Sequence, residues 1–302
     1  MKRLMTILLL CIAGQMAAIA QINFLVVSDT GRNGAYEQKP IASLMGQMAE
    51  EEDFEAVLAL GDVHHYMGIE STSDPLWMTN YELIYSHPEL QIPWYPVLGN
   101  HEYRGNTQAV IDYSGVSRRW EMEGRYYSKV FEDDGVSVRI IFIDTVPLID
   151  KYRNDSEDYP SAAGQNMEKQ LKWLEKELSN EREDWVVVVG HHPIYASTDK
   201  DECERTDLQK RLLPILEKYN VNMYICGHIH NFQHIRPEGS KIDFVVNSSA
   251  SLSRQKVSDV EGTVFKSGDA GFSILRCGSD FLQLDLINAE GETIHSVRQS
   301  LR

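Results

Sequence analysis

Five short polar clusters hold most of the residues in this chain that could bind a metal ion or move a proton. They are Ser28-Asp29-Thr30-Gly31, Gly61-Asp62-Val63-His64-His65, Gly99-Asn100-His101-Glu102, Gly190-His191-His192-Pro193 and Gly227-His228-Ile229-His230. Seven of the ten histidines lie inside them. Carboxylates, an amide oxygen and imidazoles together suit iron, manganese or zinc better than a soft metal ion. Such ions serve hydrolysis, because they ionise a bound water and neutralise charge on a reacting phosphate.

Each cluster follows a short apolar run, at residues 22–27, 56–60, 94–98, 185–189 and 221–226. Runs of this length read as buried strands. Ligands of open α/β sheets bind beyond the carboxyl ends of the strands. A single Asp or His there is commonly a helix cap or a satisfied core residue. Five clusters at the same place relative to their strands point instead to one metal-binding rim.

The rest of the chain supplies the frame. Pro40 suits the first turn of a helix with Ile41, Leu44, Met45 and Met48 inward. Met167, Leu171, Leu174 and Leu178 repeat at helical spacing. Thr206 and Gln209 resemble a capping box opening a helix that Pro214 interrupts. Residues 136–143 read as an inner strand, and strands are expected at 241–248, 271–277, 281–287 and 293–297. This is an α/β layout of layered sheets with helices outside. No linker divides it, so residues 21–302 are expected to form one domain. The charged stretch 150–160 reads as a solvated connector or as a flap beside the active site.

Residues 1–20 read as a signal peptide. Lys2 and Arg3 form a basic start, residues 4–13 are apolar but too short for a membrane span, and Ala18-Ile19-Ala20 fits a cleavage site. The mature chain would begin at Gln21, be secreted or periplasmic, and carry no stable membrane anchor. Three cysteines remain, Cys203, Cys226 and Cys277, and a Cys203–Cys277 bridge is open. With 29 basic and 45 acidic residues the formal charge is −16, which argues against general nucleic-acid binding. It leaves a phosphate substrate open, because metal ions supply local positive charge.

Taken in order, Asp29-Thr30-Gly31, Gly61-Asp62, Pro93-Trp94-Tyr95 through Gly99-Asn100-His101, Gly190-His191-His192-Pro193 and Gly227-His228-Ile229-His230 resemble the calcineurin-like metallophosphoesterases. Within that superfamily the chain is similar to the purple acid phosphatases, especially the tartrate-resistant type. The resemblance implies a four-layer α/β/β/α sandwich with two metal ions, iron, manganese or zinc, between the sheets. It implies that Asp29 and His230 bind the first metal, Asp62 both, and Asn100, His191 and His228 the second. His101 would protonate or hydrogen-bond the leaving oxygen, and His192 and His64 would wall the substrate pocket. Purple acid phosphatases carry a tyrosine three residues after the bridging aspartate. Here that position is His65, which is expected to replace it on the first metal. The function implied is hydrolysis of small phosphate monoesters by a metal-bound hydroxide. A phosphodiesterase or nucleotide hydrolase, or a non-catalytic metal-stabilised binding protein, remain alternatives.

Overall fold

The computed structural model describes residues 21–180 and 182–301. The expected signal peptide lies outside the described residues. Among the described residues there are thirteen strands: β1 (Gln21–Val27), β2 (Ala56–Ala59), β3 (Trp94–Pro96), β4 (Tyr127–Asp133), β5 (Val136–Phe142), β6 (Trp185–Val189), β7 (Met223–Cys226), β8 (Phe232–Ile235), β9 (Asp243–Val246), β10 (Thr263–Ser267), β11 (Gly271–Gly278), β12 (Phe281–Asn288) and β13 (Thr293–Ser300). They form two mixed sheets, in the orders β13-β12-β11-β1-β2-β3 and β10-β8-β9-β7-β6-β5-β4. Strands β1, β2 and β3 run parallel in the first sheet; β5, β6, β7 and β9 run parallel in the second.

The parallel strands are the apolar runs of the sequence. β6 reads Trp-Val-Val-Val-Val and is buried throughout, as a strand covered on both faces must be. The sheets meet through side chains such as Phe24 of β1 and Phe131 of β4, whose rings lie 4.8 Å apart edge to face. The Trp185 indole N–H of β6 donates to the Gly278 carbonyl of β11 at 2.8 Å. Truncating a fully buried ring such as Phe24 to alanine costs about 3–5 kcal/mol. Helix Gln38–Ala49 buries Ile41, Ala42 and Met45. Helix Met167–Ser179 starts where the Asn166 side chain accepts the Lys169 N–H at 2.9 Å. The arrangement is the expected α/β sandwich.

Several expectations are corrected. The helix assigned to a Thr206 cap begins five residues earlier, as Glu202–Arg211 after Asp201, and Pro214 opens the next helix, Leu213–Lys218, rather than kinking the first. A proline fits a first turn because its missing N–H needs no partner there. Cys203, Cys226 and Cys277 are all free thiols, so the Cys203–Cys277 bridge is absent. Stretch 150–160 opens with a helical turn, Asp150–Arg153, and Tyr152 is buried. Among the described residues no helix is long and apolar enough to cross a membrane.

Candidate metal centre

The five clusters converge. The turns after β1, β2 and β3 face the turns after β6 and β7. The ligand atoms of Asp29, His65 and His230 all lie within 4.8 Å of one another. The same holds for Asp29, Asp62 and His191, and for Asp62, His65 and His101. Asp62 thus stands between the His65 side and the His191 side. Asn100 is buried beside them, with its Oδ1 free of any hydrogen bond.

Backbone shape makes this convergence possible. Asp29, Asp62, His228 and His230 all adopt left-handed conformations, with φ of 52°, 54°, 72° and 64°. Each costs a non-glycine residue about 1–3 kcal/mol and persists only where its surroundings hold it. Asp29 is so held: its N–H reaches the Gly61 carbonyl at 3.0 Å, and Ser249 and Ser251 hydroxyls donate to its carbonyl at 2.8 and 2.7 Å. Gly61 has φ +88°, and a Cβ there would meet His191 Nδ1 at 2.7 Å. A Cβ on Gly227 would sit 1.6 Å from Ser28 Oγ. Those two glycines are required for the turns to close on each other.

The imidazoles are aimed by their outer nitrogens. His191 Nδ1 donates to the Leu60 carbonyl at 2.7 Å, and His230 Nδ1 to the Leu252 carbonyl at 2.6 Å. His228 Nε2 donates to Glu204 Oε2 at 3.0 Å. A carbonyl or carboxylate only accepts, so these nitrogens carry the protons. The inner nitrogens of neutral His191 and His228 are then bare, yet they lie 3.2 Å apart. Two lone pairs at that distance repel unless a cation lies between them. Burial would lower the proton affinity of His191, but the Asp62 and Asp29 carboxylates outweigh it and hold its pKa up to about 9. His65 is the opposite case. Burial, with the nearby His101 and Arg32, holds it neutral, and neither ring nitrogen has a hydrogen-bond partner. Asp29 Oδ1 is likewise buried without one, though it lies 3.2 Å from His230 Nε2. This orphaned donor set fits one or more metal ions.

Glu102, with no role in the sequence reading, ties the centre together. Its carboxylate accepts the backbone N–H groups of Asp62 at 2.9 Å, His64 at 3.0 Å and Gly99 at 2.8 Å. Glu204 was missed as well. It is almost fully buried and joins His228 to Lys151 at 2.7 Å and to the Tyr152 hydroxyl at 2.9 Å. The only trace of Glu102 in the sequence is its place inside an otherwise ligand-bearing turn. Glu204, in the first turn of a charged helix, left none.

His64 and His192 do not line the cavity, which corrects their expected contact with substrate. Neighbours in an extended turn point to opposite sides. His65 and His191 face the centre, so His64 and His192 face the core, where both are fully buried. The His64 ring lies edge-on to Trp77 at 4.4 Å, and burial pushes its pKa down to about 3. A His192 nitrogen comes within 4.8 Å of those of His191 and His228, but its Nδ1 bonds Thr145 Oγ1 at 2.8 Å and its Nε2 bonds Tyr152 at 3.0 Å. His234, on β8, is buried away from the centre and bonds Asp243 at 2.7 Å.

The centre opens into a cavity of about 430 Å³ bordered by Asp62, His65, Asn100, His101, His228 and His230. His101 Nδ1 donates to the Tyr66 carbonyl at 2.6 Å, which leaves Nε2, 3.8 Å from Asp62 Oδ2, as its free nitrogen. Tyr66 itself is 60% exposed and lies under the Arg32 guanidinium, so its ring is directed outward. Cations surround the opening: Arg32, Arg104, Lys151, Lys200 and Arg254. Arg32 Nε and Nη1 and Arg104 Nε are buried without a partner. Donors left open in this way are suited to anionic oxygens.

A two-sheet sandwich with carboxylate and imidazole ligands converging at one rim defines a metallohydrolase. The chain belongs to the calcineurin-like phosphoesterase family, whose profile matches residues 22–232. It is therefore a metal-dependent hydrolase of phosphoric esters. It is 35% identical to purple acid phosphatase 4 of Arabidopsis thaliana, over 76% of this chain and 68% of that protein. It is 30% identical to the tartrate-resistant acid phosphatase type 5 of Rattus norvegicus, over 79% of this chain and 76% of that one. Among solved structures it resembles GAP50, described as the anchor in the inner membrane complex of Plasmodium. The TM-score is 0.80 at 25% identity, covering 94% of this chain and 90% of that one.

Proposed function

We propose that the chain is a secreted or periplasmic phosphatase that hydrolyses small phosphate monoesters at a dinuclear metal centre. Residues 1–20 are removed, and residues 21–302 form one domain. Asp29, His65 and His230 would hold one metal, Asn100, His191 and His228 the other, and Asp62 would serve both. The observation that carries this reading is the position of Asp62, whose carboxylate belongs both to the His65 group and to the His191 group of potential ligands.

Two bound metals supply a nucleophilic water and neutralise phosphoryl charge. The side chains do the rest. Arg32 and Arg104 offer unpartnered donors to the non-bridging phosphoryl oxygens. Lys200, its Nζ 3.4 Å from His228 Nδ1, adds a third cation. His101, its Nδ1–H engaged by the Tyr66 carbonyl, turns Nε2 to the cavity and can donate from it only as the imidazolium, a form that burial makes scarcer. The Nε2 proton of that form passes to the leaving oxygen as its bond to phosphorus breaks. Tyr152 and Tyr159 wall the far side of the cavity.

A second reading is favoured by the likeness to GAP50: a protein that keeps the centre for stability and serves as an anchor. The test is metal analysis of purified protein alongside turnover of p-nitrophenyl phosphate and bis-(p-nitrophenyl) phosphate. Two metals with monoester turnover dominant supports the proposal. Diester turnover dominant assigns a phosphodiesterase, and a metal-loaded chain without turnover assigns the anchor.

A further inference from the structure

A second cavity of about 250 Å³ adjoins the metal-facing one, and Asp199 and Arg254 line both. It lies beside the His230 turn: the Arg254 N–H donates to the His230 carbonyl at 2.6 Å, and Ile229 and Asn231, which flank His230, form part of its wall. Hydroxyls of Ser197, Thr198 and Ser258 line it, and Ile229 is its one apolar side chain. The Ser258 N–H donates to Ser197 Oγ at 3.1 Å, which ties the loop carrying Lys256 to the opposite wall segment. Its cations are barely neutralised. Arg254 is 3.9 Å from Asp199, a long contact between exposed groups, and Lys256 has no ion pair among the described residues. Elsewhere the chain is strongly acidic, with a formal charge of −16. Such a net charge repels a polyanion except where cations gather locally, as Arg254 and Lys256 do here.

We propose that this cavity receives the leaving group of the substrate, and that the leaving group carries hydroxyls and a second anionic group. The inference rests on the monoesterase reading of the adjoining centre. With the phosphoryl group at the metals, the ester oxygen faces His101 and the organic portion turns into the side cavity. Hydroxyl and amide groups there match a polyol, and Arg254 and Lys256 match a carboxylate or a second phosphate. The volume falls below the roughly 300–1,000 Å³ of pockets for drug-sized ligands, so the fragment is small. An aryl leaving group would strand these polar groups without partners, which disfavours it.

The test compares kcat/KM of the metal-loaded protein for 3-phosphoglycerate, fructose 1,6-bisphosphate, glycerol 2-phosphate and phenyl phosphate. The two anionic substrates are expected to exceed glycerol 2-phosphate, and phenyl phosphate to be poorest. Their relative rates distinguish a carboxylate from a second phosphate. Lys256→Glu should raise KM for the anionic pair by roughly three- to tenfold relative to phenyl phosphate, with kcat little changed. Calorimetric binding of 3-phosphonopropionate and phenylphosphonate gives a readout independent of turnover. Lys256→Glu should weaken only the first. Turnover of phenyl phosphate with no preference for anionic esters, or equal losses in Lys256→Glu, overturns the inference and leaves the monoesterase reading standing. Selective phosphonate binding without turnover of any ester supports the cavity assignment and overturns the monoesterase reading instead.

Discussion

Glu102 accepts the backbone N–H of Asp62 at 2.9 Å. The same carboxylate oxygen takes the Gly99 N–H at 2.8 Å, so one buried side chain fixes the turns after β2 and β3 against each other. Those turns carry Asp62, His65, Asn100 and His101. The spacing between potential ligands on separate strands is thus set by a residue that binds no metal.

Glu102→Gln is expected to weaken metal binding by about 10–100-fold, the usual cost of losing an outer partner of a metal site. Glutamine presents an N–H₂ group to a backbone N–H where the carboxylate presented an oxygen. Calorimetric titration of metal into the metal-free protein measures the loss, and circular dichroism reports that the fold persists. Unchanged affinity would show that the turns hold without the clasp.

The convergence of the five clusters was legible because each follows an apolar run, a local pattern that survives without tertiary information. Glu102 was not, because its partners come from turns about forty residues apart in sequence. His64 and His192 were misread because composition gives no sense of direction. Each sits beside a histidine that faces the centre, and alternation turns it to the core. Strands β4 and β10 escaped notice as sheet edges, half exposed and without continuous apolar runs. β8 is four residues long and follows His230 almost at once, so it merged with the last cluster.

His65 and Tyr66 give a spectroscopic test. The colour of purple acid phosphatases comes from a tyrosinate on iron(III). His65 faces Asp62, with its Nε2 3.5 Å from Asp62 Oδ2, whereas the Tyr66 ring is turned out toward Arg32. Iron-loaded, oxidised wild type should lack the visible band, and His65→Tyr should create it. A band in wild type that disappears in Tyr66→Phe would assign the ligand to Tyr66.

His101→Ala is expected to slow alkyl phosphates more than aryl phosphates. Alkoxide leaving groups need the proton that Nε2 can donate when the ring is an imidazolium, and general acid catalysis contributes about 10²–10⁴-fold. Steady-state rates across leaving groups of graded acidity measure the difference. Equal losses would reduce His101 to positioning.

Asp144 gives a pH-dependent stability. Burial raises its pKa to about 7, against the pull of the Arg125 guanidinium and the Tyr103 hydroxyl. The folded chain therefore holds this proton more tightly than the unfolded chain, whose aspartates titrate near 3.9. The stabilisation is complete below about pH 4 and is lost as pH rises through about 7. Asp144→Asn should flatten this slope and raise Tm more at pH 7.5 than at pH 5. Parallel Tm profiles for wild type and variant would show that Asp144 is ionised throughout.

The central claim is that two metals share Asp62, and anomalous scattering from crystals of the metal-loaded protein tests it most directly. Two peaks about 3.5–4 Å apart are expected, one beside Asp29, His65 and His230, the other beside Asn100, His191 and His228, with Asp62 reaching both. A single peak, or a pair that leaves Asp62 unligated, would contradict the account.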